Sequence, residues 1–395
     1  MKDFFVSVFE FIKAKIIIII VIMLPLLLIA GFIAGMSQTT EDNVLNELEQ
    51  SLKNKDAEAL SKILTVDNKS VDKDKLNPLI DLYNQDSSKI DLLISQLKNN
   101  QESDDFTIVK KNGIFGSKYF INSKVYTLKV SGNFDSCKFA ITGQDNSINN
   151  NDTLYDLLPG MYNIKGKLQT DYGEVTKDEN VALTSDKDVH MDLAASYTTI
   201  DSPFSQADVF INDTDSGIKA HDAKDIGPFP TDGSVKIHLE MESPWGKLTG
   251  DEKEVNQTPK IALNLNIENQ QLDSIFDQNI NEFYNSVFES LNTQNKDAMT
   301  LVTDSTKDKI YSILEKKYFI LKNKYTVKNI EINKEKSEYT FENNKYKATV
   351  VVQVDYTVSK KFFGLNEQDY TRLFFTRMVY SGDEWKIDDI DNFDL

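Results

Sequence analysis

The sequence predicts a multidomain protein with a single transmembrane helix, a small all-α domain, two tandem all-β sandwich-like domains and a C-terminal α+β domain. Three observations support this order. One uninterrupted apolar run lies near the N-terminus, the hydrophobic period changes from helical spacing to alternation at about residue 106, and an internal repeat returns after about seventy residues. About 360 residues follow the apolar run, which is enough for several domains with separate cores.

The apolar run, residues 16–36, carries no formal charge and is long enough to cross the ~30 Å hydrocarbon core of a bilayer as a helix. Lys13 and Lys15 precede it and acidic residues follow it, so the positive-inside bias places residues 1–15 in the cytoplasm. The bulk of the chain is then extracytoplasmic. A cleaved secretory signal is the alternative, although its apolar region normally covers only about 7–15 residues.

The composition is acidic, with 44 Lys and Arg against 62 Asp and Glu and a net charge of −18. Nucleic-acid binding is not expected, because it depends on neutralising phosphates with Lys and Arg. Contact with anionic lipids or wall polymers would need local basic patches or bridging cations. The single cysteine, Cys137, excludes an internal disulfide framework, and it is predicted to be a small core residue rather than a reactive thiol.

Residues 41–101 have helical periodicity. Apolar residues recur at spacings of three and four, as in Leu45, Leu48 and Leu52, with charged residues between them. The pattern predicts a small module of three or four helices.

Two related β domains are predicted at residues 106–193 and 194–268. Apolar and polar residues alternate in both, and segments of the first domain match segments of the second. The matched pairs are residues 136–141 with 206–211, 158–164 with 231–237, 172–175 with 245–248, and 189–193 with 261–265. Tyr172 and Trp245 open equivalent aromatic-Gly steps, and they are predicted to pack at turns rather than to form carbohydrate platforms.

The C-terminal domain, residues 270–395, is predicted to be α+β. Amphipathic runs at residues 275–291, 298–302 and 310–321 predict three helices. Five strands are expected after them, at residues 325–332, 336–341, 346–358, 369–381 and 384–390, with hairpin corners at Asn343-Asn344 and Gly382-Asp383. A long meander after several helices predicts a sheet curled around them.

The inside of this curled sheet is the place where a ligand pocket is expected. Tyr346 and Tyr356 lie on one face of the same strand, which must meet the helices, and Trp385 follows on the last strand. These three aromatic residues are candidates for the lining of the pocket.

Arginine occurs only twice, at Arg372 and Arg377, and both residues fall in one predicted strand. They lie on opposite faces of it, so one guanidinium points inward, where it suits a carboxylate or phosphate group. The alternative is an arginine at the sheet edge that pairs with Asp388 or Asp389.

No catalytic, cofactor or metal site is predicted. His190, His221 and His238 do not form a zinc-binding spacing. Residues 213–217 begin like a calcium loop but lack its later acidic ligands, so a surface turn is expected. The sequence also has no GxSxG motif and no phosphate-binding glycine loop. We therefore expect a protein that is not an enzyme.

The order of the parts resembles the TcaA family, teicoplanin-resistance-associated membrane proteins of Gram-positive bacteria. The likeness covers nearly the whole chain and rests on Asn54-Lys55-Asp56-Ala57, Leu158-Pro159-Gly160-Met161-Tyr162 and the closing Glu384-Trp385-Lys386-Ile387. It implies that the C-terminal domain is a nuclear-transport-factor-like cone. Members usually begin with a cytoplasmic zinc ribbon of paired CxxC motifs, which this sequence lacks, so no zinc-dependent cytoplasmic role is expected.

The resemblance also implies a non-enzymatic binding or scaffold protein of the cell envelope, linked to wall stress or glycopeptide susceptibility. Its expected partners are the membrane, peptidoglycan, peptidoglycan precursors or a protein of wall synthesis. Two alternatives stay open: a ligand sensor that signals through a membrane partner, and an enzyme that uses the pocket of the cone. Residues 270–395 contain no histidine, which weighs against the enzyme.

Overall fold

Two compact units divide the chain, Met1–Ala194 and Ala195–Leu395. The structure, a computed structural model, describes residues 15–16, 19–29, 40–113, 116–360, 366–391 and 393–395. Each unit holds a helical part and a β-sandwich, and they are described in turn.

Residues 19–29, inside the predicted membrane span, are helical. Their large apolar side chains are 53–63% exposed, so the protein itself does not bury this apolar surface. Within the described ranges, no helix is both long and apolar enough to cross a bilayer. Residues 1–14, 17–18 and 30–36 lie outside the described part of the chain, and the single-pass span stays a prediction.

Four helices follow: α1 (Glu41–Lys53), α2 (Ala57–Ile63), α3 (Asn77–Asn84) and α4 (Ser87–Asn100). The side chains of Thr40, Asp56 and Asp86 cap α1, α2 and α4 by accepting hydrogen bonds from backbone N–H groups. Lys55 adopts a left-handed backbone (φ 56°) directly before the Asp56 cap, which reverses the chain between α1 and α2.

This module is not all-α as the sequence predicted, because a small sheet completes it. Strands β1 (Leu64–Val66), β2 (Lys69–Ser70), β3 (Phe106–Gly113) and β4 (Gly116–Ser123) pair in the order β2-β1-β4-β3. Leu64 lies opposite Ile121 in a parallel pair, and both side chains belong to the core of the helices together with Phe106. Residues 106–123 therefore share a sheet and a core with the helical module, and they are not strands of the first sandwich.

The first β-sandwich contains seven strands. They are β5 (Tyr126–Gly132), β6 (Lys138–Ile141), β7 (Ile148–Asn149), β8 (Thr153–Leu157), β9 (Gly160–Thr170), β10 (Gly173–Leu183) and β11 (Lys187–Met191). One sheet has the order β10-β9-β6-β7 and the other β11-β5-β8. Cys137, directly before β6, is buried, as predicted for a core residue.

The second β-sandwich repeats this arrangement. Its strands are β12 (Ala195–Asp201), β13 (Asp208–Ile211), β14 (Thr214–Lys219), β15 (Ile226–Pro230), β16 (Lys236–Ser243), β17 (Gly246–Thr249), β18 (Lys253–Glu254) and β19 (Lys260–Ala262). The orders β17-β16-β13-β14 and β19-β12-β15 correspond strand by strand to the first sandwich, and β18 is added beside β16. In each sandwich the last strand pairs in parallel with the first, as expected for an internal repeat.

A close contact joins the helices to the first sandwich. A Cβ placed on Gly160 would lie 2.7 Å from the Cβ of Pro78 and 2.8 Å from its carbonyl carbon. Pro78 lies at the start of α3, and Gly160 opens β9. Glycine is therefore required at this strand start because any larger residue would collide with the helix.

The C-terminal domain is an α+β fold with a four-stranded antiparallel sheet. Its helices are α5 (Gln270–Thr293) and α6 (Asp304–Lys317), with 3₁₀ turns at Lys296–Ala298 and Phe319–Leu321. The strands β20 (Lys324–Glu342), β21 (Lys345–Lys360), β22 (Asn366–Ser381) and β23 (Glu384–Asp391) pair in chain order.

Two expectations for this domain need correction. The strands predicted at residues 325–332 and 336–341 are one strand, β20, with an irregularity between Asn333 and Glu338. The helix predicted at residues 298–302 is a turn followed by an extended segment, in which Val302 bridges Ile387. Both hairpin corners form as expected, because Asn343, Asn344 and Asp383 adopt the left-handed backbone that two-residue turns require.

Each unit has its own apolar core. One cluster of buried side chains runs through the helices and small sheet of the first unit. A second cluster runs without interruption from Ile200 in the second sandwich to Phe393 at the end of the C-terminal domain. None of the described residues before Thr40 contributes to either cluster, so residues 40–395 retain both cores.

Candidate functional site

The five residues predicted to line a pocket lie in three different places. Tyr346 and Trp385 sit near the hairpin end of the sheet, beside the second sandwich. Tyr356 lies ten positions further along β21, roughly 30 Å away, and Arg372 is on the neighbouring strand beside it. Arg377 is on the outer face of β22. The sheet therefore does not bring these residues together in one site.

Trp245 of the second sandwich joins the aromatic residues at the hairpin end. Its ring centroid is 4.7 Å from that of Tyr346, 5.4 Å from Trp385 and 5.5 Å from Tyr380. Its Nε1 donates a hydrogen bond to the carbonyl of Ile267 at 3.1 Å. Trp245 is buried, so it packs at a domain junction and is not an exposed platform for carbohydrate. These aromatic residues form what we call the junction cluster.

Side chains fill the interior of the curled sheet. Tyr284 of α5 and Thr376 of β22 are fully buried, and their hydroxyl oxygens lie 2.7 Å apart in a hydrogen bond. Phe283 and Phe374 pack against the Tyr284 ring. Burial raises the pKa of Tyr284 above its ordinary value. The inner position that a ligand would need is occupied by the protein's own aromatic core.

Tyr356 and Arg372 lie where residues 393–395 cover the sheet. Tyr356 is buried, and this burial raises its pKa to about 12, although the nearby Arg372 guanidinium acts in the opposite direction. Phe393 packs against Phe374 with the ring centroids 5.6 Å apart and the rings tilted by 30°. Asp394 accepts a hydrogen bond from the Tyr318 hydroxyl, and this bond holds the pKa of the Asp394 carboxyl below its ordinary value. This end is closed by the chain itself.

Arg377 forms ion pairs on the outer face of the sheet. Its Nη2 lies 2.7 Å from Asp389 Oδ2 and 2.5 Å from Asp391 Oδ1. Burial raises the pKa of Asp389, but hydrogen bonds from Lys309 and the Ile390 N–H, together with the charge of Arg377, outweigh it and leave the pKa below its ordinary value. Of the alternative that the sequence left open, the pairing with Asp389 is present, with Asp391 as a second partner, but β22 is an inner strand, so the ion pairs lie on the outer face of the sheet and not at its edge.

One cluster of side chains has the composition of a metal site. A carboxylate oxygen of Asp213, one of Glu252 and a ring nitrogen of His238 lie within 4.8 Å of one another. The imidazole stacks on Phe210 at 5.2 Å between centroids. However, Lys236 donates a hydrogen bond to Glu252 Oε2 at 3.2 Å. The ammonium group of Lys236 therefore already pairs with one of the two carboxylates, so we assign no metal to this cluster.

A polar groove follows the junction between the second sandwich and the C-terminal sheet. It consists of two cavities of 560 and 660 Å³ that share Pro203, Asn264 and Asn266. The rest of the lining is mainly polar or charged and comprises Asp201, Ser202, Asp251, Lys253, Ala262, Leu263, Leu265, Ile267, Glu268, Tyr339, Thr340, Phe341 and Glu342. We call this feature the junction groove.

Alternation along residues 263–267 builds the groove wall. Leu263, Leu265 and Ile267 are buried in the core, so Asn264 and Asn266 between them face outward. Asn266 Nδ2 donates a hydrogen bond to Asp251 Oδ1 at 3.1 Å, and Asp251 also lines the groove. The amide and carboxylate groups suit a ligand rich in hydroxyl and amide groups. The sequence analysis used the apolar residues of this segment to recognise the repeat and did not consider the asparagines between them. The alternation itself predicts that Asn264 and Asn266 are exposed.

Comparison with known proteins identifies the family. Residues 41–134 match the TcaA protein second domain, residues 194–265 match the TcaA protein 3rd/4th domain, and residues 277–391 match the YvbJ NTF2-like domain. The chain belongs to the TcaA family. The expected nuclear-transport-factor-like character of the C-terminal domain is thereby confirmed. The first match also crosses residue 106, in agreement with the shared core of helices and strands β3 and β4.

This TcaA-family chain is similar to a protein named uncharacterized membrane protein YvbJ from Bacillus subtilis (strain 168). The two are 24% identical over 236 residues, which is 56% of this chain and 39% of the relative. The match thus spans well under half of the relative's length.

Two solved structures were also found. One is the intermembrane space region of the chloroplast protein ARC6, which is 12% identical and covers 30% of this chain and 88% of its own. The other is the Bacillus anthracis TIE protein, which is 9% identical and covers 72% of this chain and 56% of its own. Their TM-scores of 0.20 and 0.19 support no conclusion about the fold.

Proposed function

We propose that this chain is a membrane-anchored, extracytoplasmic scaffold protein of the bacterial cell envelope that acts by binding and not by catalysis. Three findings support the proposal: the TcaA-family domains, the relative that is named a membrane protein, and the uncharged apolar run at residues 16–36. The filled interior of the C-terminal sheet favours binding on an outer surface over chemistry in an internal pocket.

The observation that carries the proposal is the junction groove. The core that runs from Ile200 to Phe393 fixes both of its walls, so the groove is formed before any ligand arrives. Its amides, carboxylates and Tyr339 match the hydroxyl and amide groups of peptidoglycan or its precursors. A protein of wall synthesis is the alternative partner. Altered wall stress or glycopeptide susceptibility is the expected cellular consequence.

Purified peptidoglycan tests this proposal directly. Residues 40–395 are expected to co-sediment with it, and a combined Asn266→Ala and Glu268→Ala change in the groove is expected to reduce binding at least tenfold. Asn163→Ala is the matched control, because Asn163 is an exposed amide of the first sandwich, outside the groove. Co-sedimentation no stronger than that of an unrelated acidic ectodomain, with no wall precursor or wall-synthesis protein enriched either, would refute the proposal.

The anchor is tested separately in cells. The full chain is expected in the membrane fraction and accessible to protease added outside, whereas a chain without residues 1–39 is expected to lose membrane attachment. Recovery of the full chain as a shortened secreted form would support the cleaved-signal alternative.

A further inference from the structure

An exposed apolar turn lies at the end of α6. Ile320 is 81% exposed, more than any other large apolar side chain that the structure describes, and the adjacent Leu321 is 55% exposed. The turn is held in place by its neighbours, since Tyr318 is buried and Phe319 packs edge-on against Tyr311 with centroids 5.4 Å apart. The two exposed side chains are therefore presented on a fixed support rather than on a loose segment.

The same turn concentrates positive charge on an acidic protein. Residues 316–324 contain four lysines and no acidic residue, whereas the whole chain has a net charge of −18. Lys316, Lys317, Lys322 and Lys324 are all exposed. Of these, Lys317 lies 3.2 Å from Asp394. Residues 316–324, which we call the basic turn, thus provide the kind of local basic patch that contact with an anionic surface needs.

We propose that the basic turn docks on an anionic lipid surface. Ile320 and Leu321 would enter the headgroup region, and the surrounding lysines would contact lipid phosphates. An apolar centre ringed by lysines is the pattern of an interfacial membrane contact. A soluble anionic polymer would use the lysines but leave both apolar side chains in water, so a bilayer satisfies more of the observed surface. This inference concerns a different surface from the junction groove.

Vesicle co-sedimentation tests the inference with residues 40–395, which lack the N-terminal apolar run but keep both cores. The protein is expected to bind vesicles that contain phosphatidylglycerol, to bind phosphatidylcholine vesicles at least tenfold more weakly, and to lose affinity as salt increases. The combined Ile320→Ser and Leu321→Ser change keeps every lysine and is expected to weaken binding at least tenfold. Lys316→Gln with Lys322→Gln is expected to weaken it by about tenfold as well.

A matched control comes from the same domain. Leu373 and Phe375 are 59% and 51% exposed on the outer face of β22, and a combined Leu373→Ser and Phe375→Ser change is expected to leave vesicle binding unchanged. Circular dichroism and thermal melting confirm that each variant is folded.

Three results would overturn the inference. The first is no binding to anionic vesicles, and the second is equal binding to both vesicle types. The third is a serine variant that binds like the original protein while the glutamine variant does not, because lysines alone would then account for the attraction and an anionic polymer would be the better partner. None of these results affects the peptidoglycan test, which depends on the groove.

Discussion

Arg377 contributes to stability through two aspartates of the neighbouring strand. Arg377→Glu removes two exposed ion pairs and places three carboxylates together, so we expect the free energy of unfolding to fall by about 1–2 kcal/mol at neutral pH. The pKa of Asp389 is depressed, so this contribution is complete above the ordinary Asp pKa of 3.8 and is lost as the pH falls through the folded-state pKa. Urea unfolding at neutral pH and at about pH 3 measures both effects.

Arg372→Glu is the matched control, because Arg372 is exposed on the same strand and its guanidinium lies 5.9 Å from the Tyr370 ring centroid. A smaller loss is expected for it. If the two variants lost the same stability at every pH, the ion-pair role of Arg377 would be wrong.

The buried pair of Tyr284 and Thr376 tests whether the interior is a satisfied core. Tyr284→Phe leaves the Thr376 hydroxyl without its 2.7 Å partner, and we expect a loss of about 1–2 kcal/mol in the free energy of unfolding. Adding Thr376→Val removes the remaining polar group, so the double variant should recover much of that loss. A double variant with the sum of the two single losses would contradict this account.

Alternation along β22 could place Arg372 and Arg377 on opposite faces from sequence alone. It could not identify the partners of Arg377, because these depend on the register with β23. That register shifts between Arg377 and Met378, which brings Asp389 opposite Arg377. An irregularity of this kind leaves no signal in hydrophobic spacing.

At the scale of whole elements, Trp245 couples the second sandwich to the C-terminal sheet. Trp245→Ala opens a cavity beside Tyr346 and Trp385 and removes the hydrogen bond to Ile267, so we expect a loss of about 3–5 kcal/mol. Scanning calorimetry should then show the sandwich and the C-terminal domain unfolding separately.

Tyr172→Ala provides the control from the equivalent turn of the first sandwich. Tyr172 is 37% exposed, and a cost below about 1 kcal/mol is expected. If the two variants lost similar free energies of unfolding, Trp245 would stabilise only its own turn and not the contact with the C-terminal sheet.

Element prediction succeeded where contacts are local and failed where pairing is distant. The caps at Asp56 and Asp86 and the Asn343-Asn344 corner depend on neighbouring residues, so the sequence pattern was sufficient for those helices and that hairpin. Strand β1 has only three residues and directly follows α2, and its apolar side chains continue the helical spacing. It pairs with the two-residue strand β2 and with β4, more than fifty residues later, and the second pairing leaves no signal in the local sequence pattern.

At the scale of the whole molecule, the two units with their separate clusters of buried side chains predict at least two cooperative transitions. Leu48 is buried in the first core and Ile280 in the second, and truncating either to alanine should cost about 2–5 kcal/mol. Calorimetry of residues 40–395 should show Leu48→Ala lowering one melting temperature and Ile280→Ala lowering the other. The melting temperature of each transition should not change when the other unit is mutated, because the two clusters have no side chain in common. A single transition that both variants shift equally would show that the two units unfold as one.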